Sequence, residues 1–294
     1  MRRSVQLAAV AVLLGCAGLW GVGSLLTRAT NADVAVPAAP ARTVRIVSAG
    51  NIALAATYWP AQKSDAAAIL MLHGNGSNRE SMSETAAWLN AQGYAMLAID
   101  FRGHGQSTPA SKSFGLFEAD DAHAALGWLR KANPGARIGV IGFSLGGAAS
   151  LLGAHGPLPV DALVLEGVYP DIRHAIFNRL AIRLGKRPAT IMEPLLSYQS
   201  LPRFGVWPSA ISPIRALAQA HEPVMIVGGG EDHNTPPNET QAMYDVIKTH
   251  GELHILAGVS HDDLGRNQPD YFKQALLAFL NRNLRKSSIA ANVR

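Results

Sequence analysis

One serine in the sequence stands where a hydroxyl can be made into a nucleophile. Gly142-Phe143-Ser144-Leu145-Gly146 follows the apolar run Ile138–Phe143 and opens the small-residue segment Leu145–Ala154. A strand that turns sharply into a helix tolerates only small residues around the turn, because larger ones collide with the neighbouring strand and helix. Gly142, Gly146, Gly147, Ala148 and Ala149 meet that need. Such a turn lifts the Ser144 hydroxyl above the sheet edge and aims the positive end of the next helix at developing negative charge. A glycine-rich turn with an incidental serine is the competing reading, and it leaves the conjunction of strand, motif and helix to chance.

A serine hydroxyl needs a base to take its proton, and the base needs an acid to hold its tautomer. The strand-like run Val224–Val227 leads into Gly228-Gly229-Gly230-Glu231-Asp232, so Asp232 is the candidate acid and Glu231, one residue away, the alternative. The run Glu252–Leu256 leads into Ala257-Gly258-Val259-Ser260-His261, and His261 is the candidate base. With ten histidines in the chain, position on one loop selects little. The order serine, acid, histidine, each after a strand, selects His261 over His254 within a strand and over His233 beside Asp232. The oxyanion of a tetrahedral intermediate needs fixed N–H donors. Leu145 supplies one, and Asn75 in the loop His73-Gly74-Asn75-Gly76 the other, with Gly76 second. His73 reads as a buried hydrogen-bonding residue that shapes this loop. Asp100-Phe101-Arg102-Gly103-His104-Gly105-Gln106-Ser107 reads as a braced turn in which Asp100 and Arg102 bond to backbone and to each other. No spacing suits a metal, a phosphate loop or a dinucleotide, so the expected chemistry needs no cofactor.

The elements that must carry these loops alternate. Strand-like runs at Ala67–Leu72, Tyr94–Ile99, Ile138–Phe143 and Ala162–Glu166 are apolar throughout, and helical periodicity marks Arg79–Gln92, Phe117–Ala132, Pro236–Thr249 and Asp270–Leu284. Fully apolar strands alternating with helices predict an α/β fold, a mostly parallel sheet with helices on both faces. Val44–Val47 and Ile52–Tyr58 flank Ala49-Gly50-Asn51 as a hairpin. Residues 169–215 break the rhythm and read as a small helical cap inserted over one end of the sheet. Within it Ile172, Ile176, Leu180 and Leu184 recur every four residues, a face expected to pack on the core. Arg173, Arg179, Arg183, Lys186 and Arg187 are expected in solvent, ahead of a lid that meets a membrane.

Composition narrows the rest. Apolar residues make 48% of the chain and charged residues 16%, which excludes disorder for most of it. The net charge of +5 comes from dispersed Lys and Arg and points to no nucleic-acid partner. Cys16 is the one cysteine, so no intrachain disulfide forms. Met1-Arg2-Arg3 precedes Val5–Leu26, in which only Gln6 and Ser24 are polar. About 20 apolar residues span a bilayer. Residues 1–30 are therefore expected to be a signal anchor, with the arginines cytoplasmic and the catalytic domain on the periplasmic or extracytoplasmic side. A cleaved signal peptide (after Ala32, Ala38 or Ala41), which would leave the enzyme secreted, and a lipobox at Leu13-Leu14-Gly15-Cys16 are the alternatives. Residues 31–42 read as a linker and 43–294 as the catalytic domain.

Taken together, His73-Gly74-Asn75-Gly76, Asp100-x-Arg102-Gly103-x-Gly105-x-Ser107, Gly142-x-Ser144-x-Gly146-Gly147, Gly229-x-x-Asp232-x-x-x-Pro236 and Ser260-His261-Asp262 resemble the α/β-hydrolase superfamily. The serine aminopeptidase-like or dienelactone-hydrolase-like branch is similar, as are membrane-tethered α/β hydrolases that include protein depalmitoylases. The resemblance runs from Thr43 to Leu284. It implies the α/β-hydrolase fold, with Ser144, Asp232 and His261 as nucleophile, acid and base beneath the cap. The expected activity is cleavage of carboxylic esters or thioesters of a small-molecule or acyl substrate through a covalent acyl-enzyme. A serine peptidase or aminopeptidase is the alternative, disfavoured by the lack of an acidic pair in the cap to hold a substrate amine. A catalytically silent binding protein is the non-enzyme alternative, disfavoured because all three candidate residues are present.

Overall fold

Eight strands pair into one sheet in the computed structural model, which describes residues 2–266 and 269–285, with backbone alone for 2–5 and 7–13. The strands are β1 (Arg42–Ser48), β2 (Ile52–Trp59), β3 (Ala68–Leu72), β4 (Ala95–Ile99), β5 (Ile138–Phe143), β6 (Ala162–Glu166), β7 (Val224–Gly229) and β8 (Gly251–Leu256). Their order across the sheet is β8-β7-β6-β5-β3-β4-β2-β1. The β1–β2 and β2–β4 pairs are antiparallel and every other pair is parallel. The expected hairpin closes with Arg42 opposite Tyr58 and Ser48 opposite Ile52, the turn placing Gly50 and Asn51 at positive φ.

Side chains alternate between the two faces of a strand, and in β3 both faces are buried. Leu70 and Leu72 join a core on one face, Ile69 and Met71 a second core on the other. Burying each such side chain contributes about 2 kcal/mol. The helices are α1 (Arg2–Thr27), α2 (Ser83–Ala91), α3 (Glu118–Ala132), α4 (Leu145–Leu151), α5 (Ile172–Leu184), α6 (Lys186–Ser197), α7 (Ser200–Phe204), α8 (Pro213–Leu217), α9 (Pro237–Asp245), α10 (His261–Leu264) and α11 (Asp270–Leu284). α2 and α11 cover one face through Ala86, Leu89, Phe272 and Leu276, while α3, α4 and α9 cover the other through Leu126, Leu129, Ala148 and Met243. The helix expected from Arg79 begins as a tighter turn, Arg79–Met82, with the Asn78 side chain accepting from the Glu80 N–H.

Parallel register brings the loops together. Leu72 lies opposite Gly142, Phe143 opposite Glu166, and Leu256 opposite Gly229, so β3, β5, β7 and β8 all end at one edge of the sheet. The segment between β6 and β7 folds into α5 to α8. The cap differs from expectation in detail. Ile172 and Ile176 are buried, but Leu184 is half exposed, because α5 runs past the end of the core. Ile182, Ile191 and Leu195 are likewise exposed.

α1 meets the cap. Gln199 Nε2 donates to Leu19 O at 3.0 Å, and Arg203 donates to Trp20 O at 2.7 Å and stacks on the Trp20 ring at 3.9 Å. Beyond it, Thr30–Asn31 pairs in parallel with His104–Gly105, and Asn31 Nδ2 donates to Ser107 O at 2.7 Å. Among the described residues no helix is long and apolar enough to cross a membrane. The first half of the expected anchor lies outside the residues whose side chains are described.

The turn after β4 is braced, but not as expected. Asp100 and Arg102 do not bond to each other. Asp100 forms a buried ion pair with Arg79 and also accepts from the Arg79 and Gln106 N–H groups at 2.7 and 2.8 Å. Arg102 forks onto Asp121 of α3 at 3.0 and 2.8 Å. Each side chain leaves the turn on its own side and finds a partner about twenty residues away in sequence, 21 for Asp100 and 19 for Arg102. Arg79→Ala would strand a buried carboxylate, at an expected cost of about 3–5 kcal/mol in urea unfolding. Arg137→Ala, which loosens an exposed pair at 3.9 Å, is expected to cost about 1 kcal/mol or less by the same measurement.

Candidate active site

Ser144, between β5 and α4, stands at φ 49° and ψ −109°, a positive-φ conformation that costs a residue with a Cβ about 1–3 kcal/mol. Surrounding contacts hold it there. A Cβ on Gly146 would stand 2.1 Å from Leu72 O, and one on Gly142 would stand 2.7 Å from the Gly147 backbone. The glycines are thus required by close approach of β3 and α4, and the Ser144 N–H is fixed to Glu166 O at 2.8 Å.

The predicted partners converge on this turn. Ser144 Oγ lies 3.3 Å from His261 Nε2, and His261 Nδ1 lies 2.7 Å from Asp232 Oδ2. Asp232 Oδ1 accepts from the Asn234 and Thr235 N–H groups at 2.8 and 2.7 Å, which turns its other oxygen toward the imidazole. All three residues are buried, and the Phe143 ring lies 5.0 Å from the His261 ring. Glu231 is instead exposed at the rim of the cavity, and His233 lines the same rim without joining the chain of hydrogen bonds. Leu145 and Asn75 line the cavity beside Ser144. The loop carrying Asn75 is close to the serine, since a Cβ on Gly74 would lie 3.7 Å from Ser144 Cβ.

His73 behaves as a shaping residue. It is fully buried, its Nδ1–H donating to Gly74 O at 2.7 Å and its Nε2 accepting from the Phe101 N–H at 3.2 Å. It ties the Asn75 loop to the turn after β4. Burial, with His104 alongside, holds its pKa down to about 3. His104 is also buried, donating from Nδ1 to Arg102 O at 2.9 Å, and burial lowers its pKa to about 4.

The cavity holds about 540 Å³. Its walls are largely apolar and include Phe114, Ile172, Ile176 and Leu180, so the periodic face of α5 serves the cavity as well as the core. Two contributions were missed in the sequence. Arg179, expected in solvent, turns into the cavity wall, donates to Ala175 O at 2.9 Å, and makes no ion pair among the described residues; burial lowers its pKa. Val22 and Leu26 of α1 also line the cavity. Arg179 stands three residues after the buried Ile176, a spacing that signals a shared helix face. No local signal marks Val22 or Leu26.

Residues 63–202 match the family model described as serine aminopeptidase, S33. An esterase of Pyrococcus furiosus superposes with a TM-score of 0.68 at 21% identity, covering 88% of this chain and 99% of the other. The chain has the α/β-hydrolase fold. An acylaminoacyl peptidase of Pyrococcus horikoshii shares the α/β-hydrolase fold with a TM-score of 0.63 at 18% identity, over 84% of this chain and 42% of the other. An uncharacterized protein of Mycobacterium tuberculosis is 27% identical over 226 residues, 76% of this chain and 73% of the relative. At these identities the solved structures speak to the α/β-hydrolase fold, and the chemistry must be argued from this chain's own side chains.

Two neutral buried histidines have a consequence for acid stability. An unfolded histidine protonates near pH 6.5, whereas His104 and His73 resist protonation down to about 4 and 3. Above pH 6.5 they add no pH dependence. As pH falls below it, the unfolded chain takes up protons that the folded chain refuses, so stability falls. Calorimetric Tm values at pH 7, 5.5 and 4.5 are therefore expected to decline, and less steeply in His104→Gln.

Proposed function

We propose that this α/β hydrolase cleaves carboxylic esters or thioesters through an acyl-enzyme on Ser144. The observation that carries this reading is the hydrogen-bonded line from Ser144 Oγ through His261 to Asp232, at 3.3 and 2.7 Å, buried beside an apolar cavity. Ser144 Oγ attacks the carbonyl carbon while His261 Nε2 takes its proton. Asp232 holds the His261 tautomer with the proton on Nδ1 and stabilises the imidazolium. The N–H groups of Leu145 and Asn75 meet the oxyanion. His261 returns the proton to the departing alcohol or thiol. Water then attacks the acyl-enzyme, gives its proton to His261, and Ser144 recovers its hydroxyl.

A peptidase reading draws on Glu231 and Asp262, exposed carboxylates on the cavity rim that suit a substrate amine. The apolar walls favour an acyl group instead. We further place the protein at a membrane through its N-terminal segment, with the catalytic domain extracytoplasmic, on the strength of Arg2, Arg3 and the apolar stretch behind them. Protease shaving of spheroplasts should then degrade the catalytic domain, and carbonate washing should leave the protein in the pellet; protection from protease would count against this placement.

A fluorophosphonate probe is expected to label the folded protein and to leave Ser144→Ala unlabelled. Ser144→Ala and Asp232→Asn should each lower kcat by about 10⁴-fold or more. Assays with p-nitrophenyl esters beside aminoacyl-naphthylamides should show turnover of the esters; cleavage of the amides alone would favour the peptidase reading.

A further inference from the structure

We propose that the N-terminal helix is a working wall of the substrate cavity: an extended acyl chain lies between α1 and α5, and Val22 and Leu26 set the length accepted. The inference rests on the acyl-transfer reading of Ser144 and adds the substrate class, esters of linear fatty acyl groups. One cavity of about 540 Å³ is lined at once by Ser144 and His261, by Ile176 and Leu180 of α5, and by Val22 and Leu26 of α1. Val22 and Leu26 remain 38% and 41% exposed, although the helix that bears them is docked on the cap. Apolar side chains that line a docked surface yet stay open are poised for an apolar ligand.

The packing behind them is slack in the same direction. A second void of about 20 Å³ shares Leu26, Ile172 and Ile176 with the first and continues along the seam between α1 and the cap. The side chain of Leu26 therefore borders both spaces. Shortening it would widen the space on its side, and enlarging it would take volume from the first.

The wall is also held in register, which a specificity element requires. Gln199 and Arg203 fix the carbonyls of Leu19 and Trp20. Lys112 N–H donates to Thr27 O at 2.8 Å, and Thr30 N–H to Gly103 O at 2.7 Å. Val22 and Leu26 lie between these two clamps, so α1 cannot slide along its axis without breaking one of them. Cleavage after Ala32, Ala38 or Ala41 would remove the wall, and retention of the leader follows from the inference.

Arg179 fits the same picture at the polar end. It is a cation in the wall of a largely apolar cavity that makes no ion pair among the described residues, while Asp232 and Glu239 act on it through space.

The test uses full-length protein in detergent micelles and p-nitrophenyl acetate, hexanoate, decanoate and palmitate. Each buried methylene raises kcat/KM up to about fourfold. Leu26→Trp is expected to lower the decanoate-to-acetate ratio of kcat/KM by about tenfold or more. Leu26→Ala should move the preferred ester toward palmitate. Opposite shifts from the two variants cannot come from loss of folded protein, which lowers every ester in proportion. Unchanged ratios in both variants would overturn the inference while leaving ester hydrolysis intact. A second readout needs no chemistry: binding of cis-parinaric acid by its fluorescence to Ser144→Ala, with and without Leu26→Trp. Binding weakened about fivefold or more by the tryptophan supports the wall even if no ester is turned over, in which case the acyl-transfer reading alone has failed. Absence of binding to Ser144→Ala, or binding indifferent to the tryptophan, overturns the wall.

Discussion

The close approach between β3 and the turn from β5 into α4 is the constraint from which the site follows. With the Gly146 Cα pressed toward Leu72 O, no side chain fits there, and the chain passes through the turn only with Ser144 at positive φ. That conformation is unfavourable for serine, and the buried surroundings of α4 offset it. The outcome is a hydroxyl held by the backbone at a sheet edge, with little freedom to leave the reach of His261. The proposed nucleophile thus depends on packing made a full strand away from it.

A serine held this way is useful only if the neighbouring loops are equally still, and the buried polar groups serve that end. Asp100 and Arg79 pin the turn after β4, and His73 bridges that turn to the loop carrying Asn75. Asp232 accepts two backbone N–H groups on one oxygen before it meets His261 with the other. Each of these groups is saturated locally. The partners offset part of the cost of burial, yet burial still pushes the Asp100 carboxyl above its ordinary range. The same burial keeps His73 and His104 neutral, so the residues that stiffen the site also make the fold sensitive to acid.

The cap shows how one helix face answers two demands. Ile172 and Ile176 bury apolar surface against the core and also line the cavity, while Arg179 on the same side carries charge into it. α1 completes this region through backbone carbonyls and a ring–guanidinium stack with α7, and its extension joins the turn after β4 through Asn31. If the proposed membrane attachment and the proposed acyl wall both hold, one helix serves the two.

Much of this was legible in the residues. The apolar runs after Ala67 and Ile138 are strands because burial on both sheet faces leaves no place for polar residues, and the glycines around Ser144 announce a turn that nothing bulkier can make. The order Ser144, Asp232, His261 was visible because each follows a strand, and parallel strands end at a common edge. Other features were not legible. Arg79 with Asp100, and Arg102 with Asp121, find each other across about twenty residues only after β4, α2 and α3 have packed, and nothing in the local pattern tells Asp100 from Asp121 as a partner for Arg102. The inward turn of Arg179 is hinted at only by its spacing from Ile176 and depends on the course of α5 over the core. Val22 and Leu26 read as two among many apolar residues, and only the docking of α1 brings them beside Ser144. Local sequence determines which residues can turn, bury or react, since sterics and solvation act residue by residue; which of them meet is decided by packing, because long-range contacts exist only once the layers have closed.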